Sequence, residues 1–339
     1  MNNAHHFVVH ASLLLAVACN TSNAATPPPQ LQPTIEPTAA PLPSATSIAP
    51  APPGEQRYQG ADARAATDEE LAEVLTHTSG FLQDVTYCTI DGVELKMDVY
   101  LPEGTTGKLP LAVFIHGGGW STGDKRAAAA ASDFPALLDA GFAVASLAYR
   151  LAPEYKSPAM IVDVKCAFRS LRANAETYGV DPERIGVWGM SAGANLSMMV
   201  AVTDTSAGFD VGQYLDQSSR VKAVVDMSGP VDLTVDFSPT FVGLKEQVFA
   251  GIDLAKASPI TYITPDDPPF LIMQGERDRI VPASSGQAKA LRDKLAATGV
   301  PVEVVLVQGG SHTLDAAGQQ PRREELTQMI VKFFMQYVK

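Results

Sequence analysis

Apolar and polar positions recur along this chain at two different periods, and the switches between them mark its elements. Residues 84–90 and 93–99 are β-rich runs on either side of Asp91-Gly92, a pair suited to a tight turn, so they predict an opening antiparallel hairpin. Residues 111–115 form a continuous apolar run of the kind buried on both faces of a sheet. Runs at 143–147, 184–188, 221–227, 270–273 and 302–307 repeat the theme. Between them the period lengthens. Within 158–178, Ile161, Val164, Phe168 and Leu171 fall at three- and four-residue spacing, giving a helix one apolar face. Helices are also predicted at 68–76, 195–202, 282–297 and 321–338. Strands alternating with helices call for an α/β fold, a mostly parallel eight-stranded sheet covered on both faces. Residues 229–264 break the rhythm with prolines and aromatics but no long periodic element, and are expected to form a small lid.

The first 57 residues follow a different pattern. Residues 7–18 are apolar apart from His10 and Ser12, too short to cross a bilayer as a helix but suited to the core of an export signal, taken as residues 1–19. Ala16-Val17-Ala18-Cys19 resembles a bacterial lipobox, with Ala where Leu is usual, so Cys19 is a candidate membrane tether. Residues 20–57 are rich in Pro, Thr and Ala and offer too little apolar surface to offset the entropy of ordering, which predicts a linker. Residues 58–339 are expected to form one catalytic domain. Export to a secreted, surface or periplasmic location is the expectation.

A net charge of −12 without any Lys/Arg cluster argues against nucleic acid or an anionic membrane as partner. Cysteine is scarce. Besides Cys19 there are Cys88, in a predicted strand, and Cys166, in a predicted helix; export permits a disulfide, but two buried free thiols are expected. No pair has zinc-ligand spacing and three of the six histidines fall in the export signal, so no metal site is expected.

Candidate chemistry sits at the ends of the predicted strands. Gly189-Met190-Ser191-Ala192-Gly193 follows one strand and precedes a helix, the context of a nucleophile elbow, in which a sharp turn strains the serine and small neighbours let strand and helix approach. His116-Gly117-Gly118-Gly119-Trp120 follows another strand, and its glycines can turn bare amides toward a developing negative charge. Amides near Gly118 and Gly119, with that of Ala192, form the expected oxyanion hole, and Trp120 stays open as a donor; His116 itself is expected to hold the loop. Asp278 follows the 270–273 strand and His312, the lone histidine of the C-terminal half, follows the last strand, so the order Ser, acid, His of this architecture is met. Glu276 and Asp232 compete with Asp278 for the acid role.

Together these motifs resemble the α/β-hydrolase superfamily, and within it esterases related to hormone-sensitive lipase and the acetylxylan/feruloyl esterases. The resemblance extends from about residue 84 to the C-terminus and includes Tyr149-Arg150-Leu151-Ala152-Pro153-Glu154 and Tyr178-Gly179-Val180-Asp181-Pro182-Glu183-Arg184-Ile185, both expected to position strands and turns. It implies a serine carboxylesterase in which Ser191 attacks the carbonyl of a small or polymer-attached ester, His312 shuttles the proton and Asp278 orients His312, with no cofactor. The same triad serves amidases, formamidases and peptidases, and a hydrolase-like binding protein without activity is a third alternative. Acyl preference and oligomeric state are not legible in the sequence.

Overall fold

In the computed structural model the described residues are 64–339 except Ser132; the expected signal, Cys19 and the linker lie outside them. Leu109–Ile115 (β3) is buried at every position, as a strand covered on both faces must be. It is flanked by two parallel neighbours, Ala143–Leu147 (β4) and Val180–Met190 (β5). The opening hairpin, Thr78–Ile90 (β1) and Val93–Pro102 (β2), joins antiparallel beyond β4. On the other side Val224–Met227 (β6), Phe270–Gly275 (β7) and Val302–Val307 (β8) continue in parallel, giving eight strands in the order β1-β2-β4-β3-β5-β6-β7-β8. This is an α/β-hydrolase fold.

Side chains alternate between two cores across the sheet, as the strand period requires. Leu111, Val113 and Ile115 share one core with residues of Ala159–Ala173 (α3), Ala192–Val202 (α4) and Gln287–Thr298 (α6). Ala112 and Phe114 face the other, with Asp68–Leu75 (α1), Asp133–Asp139 (α2) and Arg323–Tyr337 (α7). The expected lid segment holds an eleven-residue helix, Pro239–Phe249 (α5), which buries Phe241, Leu244, Val248 and Phe249 on the α4 side.

One expectation is overturned. Cys88 and Cys166 are not free thiols but are joined in a disulfide, with their Cα atoms 6.4 Å apart. The reason is tertiary: α3 packs across the face of β1, so two residues 78 apart in sequence meet in the same core.

Candidate active site

Parallel strands deliver their C-terminal ends to one edge of the sheet, and every candidate residue lies on a loop leaving that edge. Ser191 stands between the end of β5 and the start of α4 with φ 57° and ψ −121°, a strained conformation for a residue with a Cβ. Its amide donates to Met227 O at the end of β6 (2.9 Å), which fixes the turn. The two elbow glycines are demanded by space. A Cβ on Gly189 would lie 2.6 Å from the Gly193 backbone, and one on Gly193 would lie 2.0 Å from Ile115 O. Ala192 opens α4, so its amide is among those without an intrahelical partner.

The His116–Trp120 loop bends through three consecutive positive φ angles, at Gly118 (101°), Gly119 (58°) and Trp120 (55°). Several groups brace it. Nδ1 of His116 is 2.8 Å from Gly117 O, and the ring stacks on Tyr149 at 4.3 Å. The Tyr149 hydroxyl donates to His116 O (3.0 Å), and Ala152 N donates to Trp120 O (2.9 Å). Arg150 in turn binds Asp163 of α3 through Nε and Nη2, and Asp91 of the hairpin turn through Nη1. The Tyr149–Pro153 segment thus ties the glycine loop to the scaffold. Gly119 and Trp120 line the same chamber as Ser191.

Asp278 and His312 are brought together. Nδ1 of His312 lies 2.8 Å from Asp278 Oδ2, both side chains buried. The other carboxylate oxygen accepts the amides of Ile280 (2.8 Å) and Val281 (2.9 Å), and Gln274 Nε2 donates to Oδ2 (3.1 Å). With Asp278 accepting, Nδ1 carries the proton and Nε2 is left as the acceptor. Nε2 is buried and has no hydrogen-bond partner among the described residues, so the Ser191 hydroxyl is not bonded to it here. Gln274, which sequence reasoning passed over, also donates to Val281 O (3.0 Å) and so shapes the acid loop. Its place at the C-terminal end of β7, one residue before Gly275, on the edge that carries the other candidates, is the signal that would have found it.

The two competing acids are engaged elsewhere. Glu276 accepts the amide of Gly309 (2.8 Å), and Arg277 N donates to Gly310 O (2.8 Å), so residues after β7 clamp the loop that carries His312. The clamp is close enough that a Cβ on Gly275 would lie 2.2 Å from Ser311 O. Asp232 turns its carboxylate onto Thr234, accepting from N (3.0 Å) and Oγ1 (2.6 Å). A further acid, Asp226 of β6, is fully buried beneath the elbow. It accepts only the amide of Gly229 (2.8 Å), and burial pushes its carboxyl up to about 7. Among the described residues no group of three His, Cys, Asp or Glu is arranged to hold a metal ion.

Comparisons with known proteins place the chain among esterases. Among curated relatives, the probable carboxylic ester hydrolase LipM of Mycobacterium tuberculosis is 32% identical over 63% of this chain and 51% of its own length. Esterase LipQ of the same organism is 31% identical over 67% of this chain and 56% of its own. The chain therefore spans about half the length of the curated relatives it matches. A solved structure described as a truncated form of a carbohydrate esterase from gut microbiota superposes with a TM-score of 0.66 at 30% identity, covering 77% of this chain and 96% of that one. Residues 97–295, which run from β2 through the elbow and the acid loop into α6, match the BD-FAE family model, and the chain belongs to that family.

Proposed function

We propose that the protein is a serine carboxylesterase acting on short-acyl or polysaccharide-linked esters through an acyl-enzyme. The observation that carries this is the bond from His312 Nδ1 to Asp278, with Nε2 left unpaired on the loop edge that also presents Ser191 in its strained turn. In the first half-reaction Nε2 takes the Ser191 proton as Oγ attacks the ester carbonyl, and the imidazolium then protonates the departing alcohol. In the second, water attacks the acyl group by the same route. Such serine–histidine bonds are often long until substrate closes the site. Amides of Ala192 and of the Gly118–Gly119 pair stabilise the oxyanion, each worth about 3 kcal/mol. The sugar-ester option is supported by the carbohydrate esterase of the gut microbiota and by a bifunctional GH43-CE protein of Bacteroides eggerthii, 32% identical over 76% of this chain and 38% of that one.

Export is the second part of the proposal. A disulfide between Cys88 and Cys166 persists in oxidising compartments, which supports an extracytoplasmic location. Mass spectrometry of the mature N-terminus would reveal whether Cys19 carries lipid. The activity is tested with nitrophenyl esters, acetylated xylan and feruloylated xylan. Ser191→Ala should lose at least about 10⁴-fold in kcat, and Asp278→Asn a comparable factor, because the histidine then holds the wrong tautomer. Equal rates for Ser191→Ala and wild type, or hydrolysis of amides without esters, would overturn it.

A further inference from the structure

Trp120 lines two adjoining cavities, and no other described residue lines both. The first contains Ser191 with Gly119, Phe241 and Leu244, and has a volume of about 20 Å³. It has less than a tenth of the volume of the second, so of the two it is the one that takes the shorter group. The second, about 260 Å³, lies behind the indole among Met160, Ile161, Met199, Phe209 and Phe249. It is mainly apolar, with Ser157, Asn195 and Lys256 also in its lining, and approaches the lower end of the volumes that hold small ligands.

The indole is fixed as a wall. Its residue sits at φ 55°, its carbonyl is held by Ala152 N, and the ring meets Phe249 edge-on at 5.0 Å. Phe249 packs in turn on Phe241 of α5 (6.3 Å), and Phe241 stacks on Phe237 (4.3 Å). Which half of an ester the small chamber holds follows from the proton path. The leaving alcohol is protonated by His312 and must lie beside it. His312 does not line the chamber, whereas the oxyanion loop does. The acyl group therefore points there.

We propose that Trp120 is a specificity-determining partition, confining the acyl group at Ser191 to short chains, and that the cavity behind it is a mainly apolar acyl-chain site that joins the first when the indole is removed. This rests on the esterase reading given above. On that basis short-acyl esters are the substrate class, and the alcohol side is set elsewhere.

The test uses the full chain and compares kcat/KM for nitrophenyl acetate, butyrate and octanoate, and for acetate esters of alcohols of increasing size. Wild type should favour acetate over octanoate by about a hundredfold or more, and Trp120→Ala should raise the octanoate-to-acetate ratio at least about tenfold. Trp120→Phe, which keeps a shorter wall, should fall between them and serves if the alanine variant does not fold. Adding Ala207→Phe, a half-buried position at the rim of the rear cavity, should take the gain back. An unchanged ratio in a folded Trp120 variant, a gain that survives Ala207→Phe, or a shift in alcohol preference instead would overturn the partition. If wild type hydrolyses no ester, the esterase reading fails on its own. The partition is then read by calorimetry with octanoate, where about tenfold tighter binding to Trp120→Ala supports it and equal affinity overturns it.

Discussion

Two buried aspartates lie close to the elbow in opposite surroundings. Asp278 receives the Ile280 and Val281 amides, the Gln274 amide group and the His312 ring, whereas Asp226 receives only the amide of Gly229. With so little to stabilise a charge, Asp226 is held at about 7 by burial. An unfolded chain releases that proton near pH 3.9, so between about pH 4 and 7 the unfolded state binds fewer protons than the native state. Stability therefore falls as pH rises through this window and levels off above it, by an amount on the order of 4 kcal/mol. Asp226→Asn keeps an acceptor for Gly229 and cannot ionise. Urea unfolding should find it close to wild type at pH 4 and more stable at pH 8; a difference that does not change with pH would show that Asp226 is ionised in the fold. Neither environment was legible in the sequence. Chain order pointed to Asp278 as the partner of His312 over Glu276 and Asp232, but the amides that hold its carboxylate, and the turn of Glu276 onto Gly309, depend on the path of the chain after β7.

At the level of elements, the same substitution should act in opposite directions in two helices. Gly193 lies in the first turn of α4, where an added Cβ would meet Ile115 O at 2.0 Å and His116 O at 2.5 Å. Gly193→Ala pushes α4 off β3 and is expected to cost about 3–5 kcal/mol, seen as a lower denaturation midpoint or insoluble protein. Gly243 lies mid-way along α5 with nothing within 4 Å of the added carbon. Gly243→Ala should raise stability by about 0.5–1 kcal/mol through helix propensity alone. The strands were the most legible elements, since β4 and β8 have the bounds that their apolar runs predict. Residues 239–249 also carried helix signals, with Ser238 capping Phe241 N, a proline in the first turn, and Phe241, Leu244 and Val248 at helical spacing. The prolines and aromatics of 229–264 obscure these signals, although a proline in the first turn starts a helix. The seven-residue α2 is too short to show a period.

For the whole molecule, the disulfide is the feature that no pattern along the chain could give. Periodicity places Cys88 in a strand and Cys166 in a helix, but their meeting depends on β1 reaching the outer edge of the sheet and on α3 crossing back over it. The bond links the antiparallel hairpin, which joins the sheet through β4, to a helix on the face that also carries the elbow. Closing a loop of this length removes unfolded-chain entropy worth about 4 kcal/mol on the chain-entropy account. Strain or residual unfolded structure reduces such figures more often than it raises them, so a loss of about 2–4 kcal/mol is expected on reduction. The Cys88→Ala/Cys166→Ala double variant should show this loss in its denaturant midpoint and no longer respond to reductant. Its kcat on acetyl esters should stay within a few-fold of wild type at 25 °C, because Ser191, Asp278 and His312 are held by β5 to β8 and by loops that the disulfide does not touch. A double variant as stable as wild type, or one folded yet inactive, would show that the hairpin and α3 are joined to the catalytic edge in another way.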